Sequence, residues 1–79
     1  MEFAVVDIET TGSTPQSAGI TEIAIVIHNG VEVTGKYVTL INPRQKIPPF
    51  IVNMTGISDA MVANAPLFEE VAPQIFNLL

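Results

Sequence analysis

A chain of 79 residues is short for a domain and has room for one small core. Eight Asp and Glu against three Lys and Arg give a formal net charge of −5. That argues against a module gripping nucleic acid through a basic surface, and is neutral toward an enzyme that attracts phosphate through bound cations. The absence of cysteine excludes disulfides and thiolate metal sites and points to a reducing cytoplasm. No apolar run is long enough for a bilayer, and Met1 and Glu2 lead directly into an apolar stretch with no basic signal region.

The first expected element is a strand over Phe3 to Glu9, within F-A-V-V-D-I-E-T-T-G. Side chains two apart on a strand share a face, so Asp7 and Glu9 project together. Phe3, Ala4, Val5, Val6 and Ile8 read as a buried strand. Two adjacent anions in apolar surroundings repel each other and lose hydration, which a hard divalent cation with oxygen ligands corrects. The competing reading is an edge strand charged to discourage sticking.

Thr10 to Gly19 is dense in Gly, Ser, Thr and Pro and is expected to be irregular. It is not a Walker phosphate loop, because no Gly-Lys-Ser/Thr follows. A second strand is expected over Ile20 to His28, a type I′ hairpin at Asn29-Gly30, and a third strand over Val31 to Ile41, interrupted at Gly35. The three form an antiparallel meander. Asn42 to Pro49 is a proline-bracketed loop holding Arg44 and Lys46, read as solvated, with a phosphate contact as the alternative.

Phe50 to Met54 predicts a helical turn broken at Thr55-Gly56. Ser58 can cap a short helix through Ala63, with Asp59 in its first turn. The last helix is expected over Leu67 to Leu79, with Phe68, Val71, Ala72, Ile75, Phe76 and Leu79 on one apolar stripe. Glu69 and Glu70 suit its N-terminal end, and Pro73 should kink it.

D-I-E-T-T-G after an N-terminal apolar strand resembles the first motif of the DnaQ-like (DEDD) 3′–5′ exonucleases, which include the proofreading epsilon subunit of bacterial DNA polymerase III. I-T-E-I-A-I-V (Ile20 to Val26), I-N-P (Ile41 to Pro43), T-G-I-S-D-A-M-V (Thr55 to Val62) and A-P-L-F-E-E-V (Ala65 to Val71) follow in the family's order. The resemblance implies an α/β chain forming the N-terminal part of a ribonuclease H-like fold: a three-stranded antiparallel meander, a short helix and a longer amphipathic helix. The whole chain, residues 1–79, then reads as the N-terminal portion of one exonuclease domain.

That family carries out two-metal phosphodiester hydrolysis with Mg2+ or Mn2+ and releases nucleoside monophosphates from a DNA 3′ end. The resemblance gives Asp7 and Glu9 the catalytic, metal-ligating roles. It places Ile8, Thr10, Thr11, Gly12, Met54 and Thr55 at the substrate, although a histidine often stands where Thr55 is. Glu22 matches an acidic residue common in the family's second strand, and His28 reads as a surface residue. The family's second and third motifs, with two further acidic ligands and the general base, find no match here, so the 79-residue chain by itself is expected to be inactive. Strand one would then have an open second edge, through which the chain is expected to self-associate. A polymerase catalytic subunit is the implied protein partner. A degenerate domain binding a nucleotide end or a protein, or a related exoribonuclease, are the alternatives.

Overall fold

The computed structural model describes residues 1–12 and 19–79. The expected irregular loop after Thr10 falls mostly on residues 13–18, outside the described residues. Three strands, β1 (Phe3–Thr10), β2 (Ile20–His28) and β3 (Val33–Leu40), form an antiparallel sheet in the order β1-β2-β3. Three helices follow: α1 (Pro49–Thr55), α2 (Asp59–Val62) and α3 (Phe68–Leu78). No described helix is long and apolar enough to cross a membrane.

The alternation of β2 decides the layering. Thr21, Ile23 and Ile25 are buried on one face, while Glu22, Ala24 and Val26 lie on the other. Ile23 and Ile25 join Ile41 and the α3 residues Val71 and Ile75 in the main core, with Ile20, Ile27 and Tyr37 packed around it. A second cluster unites Ile47, Ile51, Ile57 and Val62 with Leu40. Leu40 pairs with Glu22 and so belongs to the opposite face of the sheet. Thus α3 covers one face, and α1 and α2 sit at the β3 end of the other.

The helix boundaries follow local chemistry. Proline opens α1 at a position where its missing N–H costs nothing. Gly56, at φ 77°, closes α1 through a bond from its N–H to the Val52 carbonyl. The Ser58 hydroxyl accepts the Met61 N–H at 3.3 Å and caps α2. At the start of α3, the Leu67 N–H donates to Glu70 at 2.7 Å. The helix continues through Pro73.

Four expectations are corrected. β1 is not a buried strand: it lies at the sheet edge, and Phe3, Val5, Val6 and Ile8 are 50, 60, 48 and 46% exposed. The hairpin is not the two-residue type I′ turn. Gly30 has positive φ and Asn29 does not. Instead the Asn29 side chain accepts the N–H groups of Val31 and Glu32, making a four-residue connection and delaying β3 to Val33. β3 also continues through Gly35, which pairs with Ile27, and its irregularity falls one residue earlier, where Thr34 is skipped between the Gly35–Ile27 and Val33–His28 pairs. Finally, α3 does not bury one continuous stripe. Val71 and Ile75 face the core, whereas Phe68, Phe76 and Leu79 are exposed.

Between Glu9 and Thr10 the register shifts, because Thr10 pairs with Ile20 and Thr21 is skipped. Thr21 is buried, and its hydroxyl has no hydrogen-bond partner among the described residues. An unpaired buried hydroxyl is costly, and valine has nearly the same shape. Thr21→Val should therefore stabilise the fold by about 1 kcal/mol. The check is a rise of about 4–8 °C in the thermal midpoint.

Candidate active site

Asp7 and Glu9 share the face of β1 turned away from α3. Their pairing partners across the ladder are Ala24 and Glu22. Glu9 and Glu22 are thus directly opposed across two strands, an arrangement that destabilises a ladder unless positive charge answers it. The ion pair recorded among the described residues, Arg44 with Glu69, lies elsewhere. Asp7 is exposed, and Glu9 and Glu22 are half-buried, not deeply buried as the apolar run suggested. The position of β1 at the edge, with one neighbour, is the reason.

This donor set suits a hard cation: oxygen ligands only, two of them on one strand face, with no ion pair to either among the described residues. Among the described residues no group of three or more His, Cys, Asp or Glu could hold a metal ion. Glu22 shares the face without closing a three-residue cluster with Asp7 and Glu9. A hollow of about 270 Å³ lined by Gly19, Ile41, Arg44 and Phe68, and an apolar groove of about 500 Å³ along the outer side of α3, are the larger depressions described. Neither is lined by the two carboxylates.

The turn after the carboxylates is built from its own groups. The Thr10 hydroxyl donates to the Gly12 carbonyl at 3.0 Å. Thr11 is buried, with only 2% of its surface exposed. Its N–H donates to the Gly19 carbonyl, and its hydroxyl accepts the Gly19 N–H and donates to Gln45. Among the described residues, its chain neighbours aside, nothing lies within 4 Å of where a side chain on Gly12 would begin.

The other residues assigned by resemblance divide. Ile8 pairs with Ile23, which puts its side chain on the α3 face, so on the carboxylate face it offers backbone only. Met54 is strongly exposed on α1, on the same side of the sheet as Asp7 and Glu9. The Thr55 hydroxyl is committed to the Ile51 carbonyl and to the Ile57 N–H. His28 pairs with Phe3 at the opposite end of the ladder from Glu9, about 20 Å away at strand rise. Its Nδ1 accepts the Gly30 N–H. Arg44 lies in the solvated loop expected for it, exposed and paired with Glu69 at the surface. Gln45 was not singled out by the sequence. It contacts a residue 34 positions away, and a glutamine between two prolines carries no local signal of that.

The family model RNase_T, described as an exonuclease, matches residues 4–79. The 3′-5′ exonuclease DinG of Bacillus subtilis is 46% identical over 98% of the chain, and the DNA polymerase III subunit epsilon of Aquifex aeolicus is 35% identical over 98%. The chain spans 8% and 38% of their respective lengths. Among solved structures, exonuclease X in complex with 5′ overhanging duplex DNA is 32% identical, with a TM-score of 0.79 over 91% of this chain and 42% of that one. The sheet and helices are those of the N-terminal part of the ribonuclease H-like fold of DEDD exonucleases.

Proposed function

Because the chain belongs to the RNase_T exonuclease family, we propose that it supplies the first carboxylate pair and the end-binding turn of a metal-dependent 3′–5′ exonuclease acting on DNA. The observation that carries this reading is the common face of Asp7 and Glu9, at the end of a strand that runs straight into the Thr10–Gly12 turn. The names of the relatives, a 3′-5′ exonuclease and a DNA polymerase III subunit epsilon, support the polarity and a place beside a polymerase.

Asp7 and Glu9 would hold Mg2+ or Mn2+. Such an ion, when bound, polarises the phosphodiester and lowers the pKa of an attacking water. The chain's own residues do the rest by placement. β2 fixes the spacing of the two carboxylates through the register Asp7 to Ala24 and Glu9 to Glu22. The backbone at Gly12 takes the terminal nucleotide, a role supported by the absence of any non-neighbouring atom within 4 Å of its missing side chain among the described residues. Met54, exposed on the same side, offers an apolar surface to the terminal base.

Two carboxylates alone do not assemble a two-metal site, so the 79-residue chain by itself should be inactive. The test uses a 5′-labelled single-stranded oligonucleotide with Mg2+. The protein at its full encoded length should shorten it stepwise from the 3′ end and stop when chelator is added. The isolated 79-residue chain should leave it intact. Loss of the 5′ label as a mononucleotide, or cleavage unaffected by chelator, would remove the proposal.

A further inference from the structure

The segment joining β3 to α1 is tied into the fold at successive points. The Asn42 N–H donates to the Pro66 carbonyl at 2.9 Å, and Arg44 pairs with Glu69 on α3. The Ile47 N–H donates to the Asp59 carboxylate on α2 at 2.9 Å, while the Ile47 side chain is buried against α1. Gln45 is the point at which this segment reaches the turn after the carboxylates. Its Oε1 accepts the Thr11 hydroxyl at 2.9 Å. The same hydroxyl accepts the Gly19 N–H at 2.8 Å, and Thr11 N–H to Gly19 O is 2.8 Å. Gly19 is wedged in place: a Cβ there would come within 2.8 Å of the Pro43 side chain and 3.0 Å of both the Pro43 carbonyl and Gln45 Nε2.

Resting on the exonuclease reading, we propose that Gln45 is a positioning residue for substrate binding. Through the buried hydroxyl of Thr11 it fixes the Thr10–Gly12 turn against a segment anchored to all three helices. The turn therefore meets the 3′-terminal nucleotide at a set height over the carboxylate face. The cation ligands are held separately, by β2, so the brace acts on the nucleotide and not on the metal.

The experiment uses the protein at its full encoded length. Gln45→Met keeps the length of the side chain and removes the acceptor. Its KM for a single-stranded oligonucleotide should rise about tenfold, the cost of one hydrogen bond in a bound state. The kcat and the Mg2+ concentration for half-maximal rate should stay within about twofold, since the register that sets Asp7 and Glu9 is untouched. Gln45→Glu, which retains an acceptor oxygen, should recover most of the KM. Thr11→Val also removes the acceptor of the Gly19 N–H and should cost more than Gln45→Met, and the double variant should cost no more than Thr11→Val alone, because the Thr11–Gln45 bond is already gone there. An unchanged KM in Gln45→Met, a parallel shift in the metal requirement, additive costs in the double variant, or a thermal midpoint lowered by more than about 10 °C would each overturn the proposal. The unaltered protein run alongside separates the two readings: no nuclease activity there sinks the exonuclease assignment, whereas an active enzyme indifferent to Gln45 sinks only the brace.

Discussion

Replacing Asp7 by asparagine in the protein at its full encoded length should reduce exonuclease turnover by about 10³-fold, the several kcal/mol by which a cation stabilises the charge developing on the phosphate. Glu9→Gln should do the same, and the double variant should be little worse, because the two carboxylates act as one unit. Stability should move the other way or not at all. Asp7 is exposed, and Glu9 faces Glu22 across the ladder, so removing charge relieves repulsion. The pairing of lost activity with an unchanged or raised thermal midpoint is the diagnostic result. Loss of both together would make the carboxylates structural and end the active-site reading.

The largest effect on folding should come from Ile25, which is fully buried at the centre of β2 and packs with Val71 and Ile75 of α3. Ile25→Ala removes its methyl and methylene groups and leaves a cavity, at about 2–5 kcal/mol. A chain of this length has about 4–12 kcal/mol in total. The midpoint of the variant should fall by about 10–25 °C, and a large part of the population should be unfolded near body temperature. Phe76→Ala is the control. Phe76 is larger, yet 82% exposed, and its loss should change stability by less than about 0.5 kcal/mol. Circular dichroism melts of both variants check the pair. Equal losses would mean that the outer side of α3 is as much a part of the core as the inner side.

Where one rule dominated, the sequence was a good guide. β2 runs over Ile20–His28 as its alternation indicates, because a residue on either side of the period would place a polar group in the core. Gly56 and Ser58 punctuate the helices as their backbone and hydroxyl chemistry require. Asp7 and Glu9 fall on one face by spacing alone. What could not be read was set by partners remote in sequence. The apolar run of β1 looked buried, and only the strand order shows that one side and one edge are uncovered. Both Phe68 and Phe76 fit a helical stripe with Val71 and Ile75, but a single small sheet has room for only the inner pair. The Asn29 side chain outcompeted the expected tight turn by taking two backbone donors for itself. The bond from Thr11 to Gln45 crosses 34 positions and has no periodicity to announce it.

β1 carries the carboxylates and is bonded on one side only. Every second residue along its free side has an unspent N–H and C=O, so a further strand seated there would stiffen the very backbone from which Asp7 and Glu9 project. On the proposed reading of Asp7 and Glu9, sheet extension and ion uptake would be linked equilibria: if docking a strand sharpens affinity for the cation by some factor, the cation favours docking by that same factor. The coupling free energy between the two steps would be the same whichever comes first.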